Sequence, residues 1–232
     1  DGYVESFTEN WEKLEQYDNN APKTMNAHLH VLEAYTLLYQ CWKDNGLKKR
    51  LEFCVDLFMN RIYDPSRKHF NLFFDNEWNS LVEMDSYGHD VETGWLLCEA
   101  ARTLENQDLI EQTNQLALDV TEACLAEGMS DKGYMIYEKK GDRKTKHASW
   151  WGQIETVIAC VNAWQISGSD VYLQSVDTVW TFVKDHMVDK EYGEWYSDCF
   201  DGEPKKEAPK VSMWRCPYHT VRLGVEMYNR LK

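Results

Sequence analysis

The sequence has 232 residues and a formal net charge of −14, with 10 Trp and 13 Tyr. This length is enough for one domain of ordinary to large size with a substantial core. The negative charge argues against binding nucleic acid or an anionic membrane surface. It favours a neutral or small polar ligand, and the many aromatic residues are typical either of core packing or of stacking on sugars.

Seven cysteines are scattered along the chain, with no CxxC pair and no Cys/His cluster of zinc-binding spacing. The sequence contains neither a signal peptide nor an apolar run of membrane-spanning length. These features favour free thiols in a reducing compartment. We therefore expect a cytoplasmic protein without a membrane partner.

Helix signals recur in pairs along the chain. Apolar residues at helical spacing, interrupted by turn residues such as Asn45 and Gly46, predict seven helices. The predicted helices span residues 24–43, 47–62, 89–104, 107–126, 150–166, 170–186 and 217–231.

The connections between the pairs have β character. Residues 70–74 and 78–84 predict a hairpin across Asp75 and Asn76, and residues 133–137 and 192–196 predict short extended segments. The first helices of the pairs begin at intervals of 63 to 65 residues, near Asn26, His89, Gln153 and Tyr218. This period predicts an array or toroid of helix pairs that forms a single domain over residues 1–232.

The start of the predicted helix 89–104 carries residues suited to proton transfer. His89 and Glu92 lie three residues apart and share one helix face. A helix N-terminus disfavours an imidazolium, which suits a neutral histidine acting as a base. The alternative is an ordinary helix start whose acidic first turn and histidine coincide by chance.

Polar and aromatic side chains also cluster at the other first-helix starts: Asn26, His30, Trp150, Trp151, Gln153, Glu155, Trp214 and His219. If the first helices form an inner ring, these side chains converge in one pocket. Two plainer interpretations stay open. One of the adjacent indoles packs in the core, and Glu155 is an exposed helix residue. A His/Glu metal site fits the residue types, but no HExxH pair, P-loop or dinucleotide-binding glycine pattern supports a metal or cofactor.

Four segments carry a specific resemblance. The sequences NAHLHVLEA at 26–34, SYGHDVE at 86–92, WWGQIE at 150–155 and WRCPYH at 214–219 resemble the cellobiose 2-epimerases, a branch of the acylglucosamine 2-epimerase family. Tyr87 and the CPYH segment favour this branch over the acylamino-sugar branch. Gly152 departs from the proline expected in many relatives, which affects the helix start more than the chemistry.

The resemblance implies an all-α fold, the (α/α)6 barrel of twelve helices. This chain would supply an arc of about seven helices from the C-terminal part of the barrel, with short β segments in the connections. We expect the missing part to be N-terminal, and with it the family's substrate-binding arginine.

The resemblance also implies an isomerase that epimerises C2 of a reducing-end glucose to give mannose, without cofactor or metal. His89 and His219 would be the catalytic bases. The implied sugar-binding residues are Asn26, His30, Glu92, Trp150, Trp151 and Trp214. The expected partner is a disaccharide or monosaccharide, and the expected oligomeric state is a monomer or weak homodimer.

Two alternatives belong beside this function. The first is an N-acylglucosamine 2-epimerase or an aldose–ketose isomerase of the same superfamily, which would use the same histidine pair. The second is an inactive carbohydrate-binding fragment, because part of the implied barrel lies outside this sequence.

Overall fold

The computed structural model describes residues 1–232, apart from the side chain of Asp18. Its α-helices are α1 (Met25–Cys41), α2 (Asn45–Leu57), α3 (Tyr87–Thr103), α4 (Gln107–Gly128), α5 (Trp150–Ser167), α6 (Val171–Phe182) and α7 (Tyr218–Arg230). Helices α2 and α6 each continue into one π-helical turn, Phe58–Ile62 and Val183–Met187 respectively. Among the described residues, no helix combines the length and the apolar character that crossing a membrane requires.

The strands are two or three residues long. They are β1 (Lys23–Thr24), β2 (Tyr63–Asp64), β3 (His69–Phe70), β4 (Phe73–Phe74), β5 (Met84–Asp85), β6 (Lys139–Lys140), β7 (Arg143–Lys144), β8 (His147–Ser149), β9 (Asp198–Phe200) and β10 (Glu203–Pro204). Antiparallel pairing joins β1 to β4, β2 to β3, β6 to β7, β8 to β9, and β9 to β10. Such short ladders fix the connections between helices and leave the helices to form the core.

The chain forms two compact units, one of residues 1–85 and 96–116 and the other of residues 86–95 and 117–232. In the first unit, α1 packs on α2. Met25, Leu29 and Leu32 of α1 are fully buried, as are Leu51 and Val55 of α2. Helical spacing of these apolar residues therefore produces the amphipathic pair that the sequence predicts.

In the second unit, α5 packs against both α6 and α7. Its residues 152–163 are all buried, so α5 is the central helix of this unit. Cys160, Ala163 and Tyr172 form an apolar cluster between α5 and α6, where burial raises the pKa of the Cys160 thiol to about 12. A helix buried on every face cannot show a strong amphipathic pattern, and its apolar sequence reflects that position.

The predicted helices are confirmed, with ends that move by a few residues. The predicted strand at 133–137 is wrong, since Met135 makes only an isolated bridge with Met129. The predicted hairpin across Asp75 and Asn76 is reduced to a single bridge between Phe74 and Ser80. The chain divides into two compact units, so the assignment of residues 1–232 to one domain stays a prediction.

Candidate active site

His89 lies in the first turn of α3, as the sequence predicts. Its Nδ1 is 2.8 Å from the hydroxyl oxygen of Ser86, the residue that precedes the helix. The imidazole ring packs against the indole of Trp151, with 4.6 Å between ring centroids. The serine hydroxyl can donate to Nδ1 or accept from it, so either ring nitrogen of His89 can carry the proton.

His219 lies in the first turn of α7 and contacts the same indole. Its ring stacks on Trp151 at a centroid distance of 5.7 Å. Its Nδ1 is 2.6 Å from Oε1 of Glu155. A carboxylate oxygen can only accept, so Nδ1 donates and the lone pair of the neutral imidazole lies on Nε2. That tautomer has the basic nitrogen that proton abstraction requires.

Glu155 is completely buried, and the interpretation of it as an exposed helix residue is wrong. It lies one turn beyond Trp151 on the central helix α5. Besides His219, it accepts hydrogen bonds from Nε1 of Trp95 at 2.9 Å and from the guanidinium of Arg222 at 3.1 Å. Three donors hold this carboxylate in place, as a buried charge requires.

Arg222 joins Glu155 to the second buried carboxylate, Glu92, whose Oε1 accepts from the guanidinium at 2.6 Å. The guanidinium also lies over the ring of Tyr218, 4.1 Å from its centroid. Glu92 is only 1 % exposed, and its contact with Arg222 gives it a part in supporting the site.

The carboxylates and His219 form a possible metal-ligand set. One ligand atom each from Glu92, Glu155 and His219 lies within 4.8 Å of the others. The Arg222 guanidinium, however, already bonds both carboxylates. Arg222 thus supplies the positive charge that two buried carboxylates need, and the metal-free site remains our prediction.

Close packing of two helix starts places Trp151. A Cβ atom on Gly88 of α3 would lie 2.6 Å from Cζ3 of Trp151 and 3.2 Å from Cα of Gly152. Glycine at position 88 therefore lets α3 approach α5 closely enough for the indole to reach both histidines. Gly152 has its own function in the helix start, because its N–H donates to the side chain of Ser149, which caps α5.

The other two tryptophans of the predicted site differ in exposure. Trp150 is 9 % exposed and meets His219 edge-on at 6.2 Å, so it is the indole of the adjacent pair that packs inward. Trp214 is 80 % exposed, in the loop that leads into α7. Its neighbour Arg215 is buried with its guanidinium 4.7 Å above the Trp150 ring.

Asn26 and His30 belong to the first unit, where both are exposed on α1. Nδ1 of His30 is 3.2 Å from a carboxylate oxygen of Glu33. His28 between them is buried, and its two ring nitrogens contact the Thr24 carbonyl and the Tyr3 N–H. Burial lowers the pKa of His28, in agreement with a structural role for this histidine.

Sequence reasoning brings together His89, Trp151 and His219 correctly but misses the buried network behind them. Arg222 lies three residues after His219, and Trp95 lies three residues after Glu92. These helical spacings are the only signal that places Arg222 and Trp95 on the same faces as the predicted site residues.

A family model described as N-acylglucosamine 2-epimerase matches residues 2–222. The chain belongs to this family. It is 40 % identical to the cellobiose 2-epimerase of Bacteroides fragilis over 97 % of this chain and 59 % of that protein. It is 36 % identical to the cellobiose 2-epimerase of Dictyoglomus turgidum over 99 % of this chain and 60 % of that protein.

Solved structures agree with these matches. The structure of cellobiose 2-epimerase from Bacillus thermoamylovorans B4167 superposes with a TM-score of 0.94 at 35 % identity, covering 99 % of this chain and 60 % of that one. This match confirms the resemblance and the predicted fold class, the all-α (α/α)6 barrel. The chain spans about three fifths of the length of the relatives that it matches.

Proposed function

We propose that the full-length protein is an isomerase that epimerises C2 of the reducing-end sugar in β-1,4-linked disaccharides of the cellobiose type. One observation carries the proposal. The imidazoles of His89 and His219 pack against the same indole, Trp151, and each has its Nδ1 held by a hydrogen-bonding oxygen. Two imidazoles around one aromatic platform suit a sugar whose C2 exchanges a proton with either of them.

The reaction begins when the sugar ring opens to the aldehyde, which acidifies the hydrogen on C2. One histidine removes that hydrogen as a proton, and the electron pair delocalises into an enediolate. The other histidine, which starts as the imidazolium, then delivers its proton to the opposite face of C2, and the inverted centre converts glucose to mannose. The sugar loses one proton and gains one, while the two histidines exchange protonation states. Proton exchange with solvent restores the starting states before the next turnover.

Glu155 gives His219 two advantages in this scheme. Its hydrogen bond to Nδ1 fixes the tautomer with a basic Nε2. When Nε2 takes a proton, the imidazolium that forms lies beside a buried carboxylate and is stabilised by it. Ser86 fills the corresponding position beside His89 with a hydroxyl, which tolerates either protonation state of the ring. The two histidines therefore differ in the group that holds Nδ1, a carboxylate for His219 and a hydroxyl for His89.

The sugar-binding assignments remain part of the proposal. Trp151 is half-buried between the histidines, and this position supports stacking on the reducing-end sugar. Trp214 is exposed and available to stack on the second sugar. Asn26 and His30 would bind hydroxyls and help stabilise the enediolate oxygens. We assign Trp150 and Glu92 a supporting part, through His219 and Arg222 respectively. We also keep three further predictions. The protein needs no cofactor or metal, it is cytoplasmic, and it is a monomer or weak homodimer.

The substrate class rests on the names of the relatives, which are cellobiose 2-epimerases. The test is product analysis by NMR after the full-length protein is incubated in D2O with cellobiose, mannose or N-acetylglucosamine. We expect the glucosyl-mannose epimer from cellobiose, with deuterium at C2. A ketose product would contradict epimerisation and favour the alternative function of an aldose–ketose isomerase. Conversion of N-acetylglucosamine alone would contradict the disaccharide assignment, and binding without turnover would contradict enzymatic activity.

A further inference from the structure

We propose that Arg215 is a positioning residue that acts on His219 through Trp150. The proposal rests on the function proposed above. Arg215 is only 3 % exposed, and its guanidinium lies 4.7 Å above the ring of Trp150. Trp150 in turn meets the His219 ring at 6.2 Å with an interplanar angle of 80°. The three side chains therefore form a stack that ends on a proposed catalytic base.

The anchor of this stack is the turn before α7. One guanidinium nitrogen of Arg215 donates to the Trp195 carbonyl at 3.1 Å and to the Glu194 carboxylate at 3.2 Å. Arg215 also closes a turn with Ser212 through backbone hydrogen bonds in both directions. These bonds fix the backbone four residues before His219, so they set where α7 begins.

The stack is not arranged for the greatest stability. Nε of Arg215 and Nε1 of Trp150 are both buried donors, and among the described residues neither has an acceptor. An unsatisfied buried donor is destabilising, and a leucine or methionine at position 215 would avoid one of them. Departures from local rules of this kind concentrate at functional sites. A role in holding the imidazole plane accounts for an arginine here.

Trp150 presses on the ring of His219 from the side, while Glu155 holds its Nδ1. Trp151 also stacks on this ring, so three contacts from different directions define the orientation of the imidazole. Loss of the edge-on contact with Trp150 leaves two of them. Without the guanidinium, the indole loses the surface that supports its face. The predicted consequence is a His219 ring that points Nε2 away from C2 for part of the time.

The test compares Arg215→Ala, Arg215→Lys and Trp150→Phe in the full-length protein. For Arg215→Ala we expect kcat with cellobiose to fall about 10- to 100-fold, the size of effect that a small misplacement of a catalytic group produces. KM should change less than about twofold. Arg215 has no proposed contact with the sugar, so its loss should not weaken binding of the ground-state substrate. Arg215→Lys keeps the charge but loses the planar stack, so it should recover only part of kcat.

A spectroscopic readout separates positioning from a merely structural role. The 15N chemical shifts of His219 should report one ring environment in the wild type and a mixture of ring environments in Arg215→Ala, at equal folded fraction by circular dichroism. Arg143→Ala is the matched control, since it removes an exposed guanidinium in β7 that has no part in the proposal, and its kcat should stay within about twofold of wild type. Wild-type kcat and wild-type 15N shifts in a folded Arg215→Ala would overturn the proposal.

Two other results also have a definite meaning for the proposal. If Arg215→Ala does not fold, Trp150→Phe carries the test, and wild-type kcat in that variant overturns the proposal. If the wild type does not epimerise cellobiose, the proposed function fails. The 15N comparison then still decides for or against the positioning of His219.

Discussion

Nδ1 of His219 lies 2.6 Å from Oε1 of Glu155, although 64 residues separate the two in the chain. The contact joins the first turn of α7 to the central helix α5. Because Glu155 is fully buried and accepts from two further donors, its carboxylate is held in place and keeps Nδ1 of the imidazole as the donor. The arrangement makes His219 the better-defined base of the proposed pair.

The first prediction concerns this contact. Glu155→Gln keeps the side-chain volume but removes the charge that stabilises the imidazolium and selects its tautomer. We expect kcat with cellobiose to fall roughly 100-fold, as a partner that orients a catalytic ligand or base typically contributes. KM should change little. Steady-state kinetics measure both. Glu226→Gln on the same helix α7 is the control, because Glu226 pairs with Arg230 and should leave kcat unchanged.

The second prediction concerns the buried charges. Arg222→Met leaves Glu92 and Glu155 without the guanidinium that bonds both. Removing one partner of a buried ion pair typically costs about 3–5 kcal/mol in the free energy of unfolding. Adding Glu92→Gln should recover part of that loss, since it removes one uncompensated charge. Urea unfolding of both single variants and the double variant measures the coupling energy between Arg222 and Glu92. If the two substitutions lowered the free energy of unfolding additively, the network would be contradicted.

The third prediction contrasts two glycines in helices. Gly88→Ala places a Cβ 2.6 Å from the Trp151 ring and should reduce the free energy of unfolding by about 1–3 kcal/mol, the usual cost of overpacking. It should also lower kcat, because Trp151 must move away from the histidines. Gly224→Ala in α7 meets nothing within 4 Å. It should instead stabilise the protein by about 0.5–1 kcal/mol through helix propensity. Equal effects of the two substitutions would rule out the close approach at Gly88.

The fourth prediction is a pH dependence in the first unit. Hydrogen bonds from Ser66, together with Arg67, lower the pKa of Asp64 to about 2 despite an opposing contribution from burial. The pKa of an unfolded aspartate is about 3.9. Between these values the unfolded state binds more protons, so stability from this group is complete above the higher pKa and is lost as pH falls through the lower one. The stability difference between wild type and Asp64→Asn should therefore shrink below about pH 4 and vanish only below about pH 2. Urea unfolding at several pH values measures it, and a constant difference would contradict the assignment.

The helices were predictable because their ends carry local signals. Ser149 caps α5 through the N–H of Gly152, and Gly168 ends the same helix with a positive φ of 70°. Such caps act within a few residues and are visible in the sequence. The two-residue strands were not predictable, because their pairing depends on which helices the connections join.

The histidines of the candidate site were found by their positions at helix starts and by family resemblance. The buried network behind the histidines could not be found in this way. Glu92 and Arg222 are 130 residues apart, and no local pattern links residues at that separation. Glu155 was ambiguous for a related reason, since a glutamate on a helix is usually exposed. Only the packing of α5 against its neighbours shows that this glutamate is buried.

The most direct test of the account is the kcat of His89→Ala and His219→Ala in the full-length protein with cellobiose. A positioned acid–base group contributes about 10²–10⁴-fold, so each variant should lose that much while its circular dichroism stays that of the wild type. The double variant should be little worse than the more damaged single variant, because the two bases serve one reaction cycle. His28→Ala should cost far less. Near-normal kcat in either His89→Ala or His219→Ala would contradict the two-histidine account.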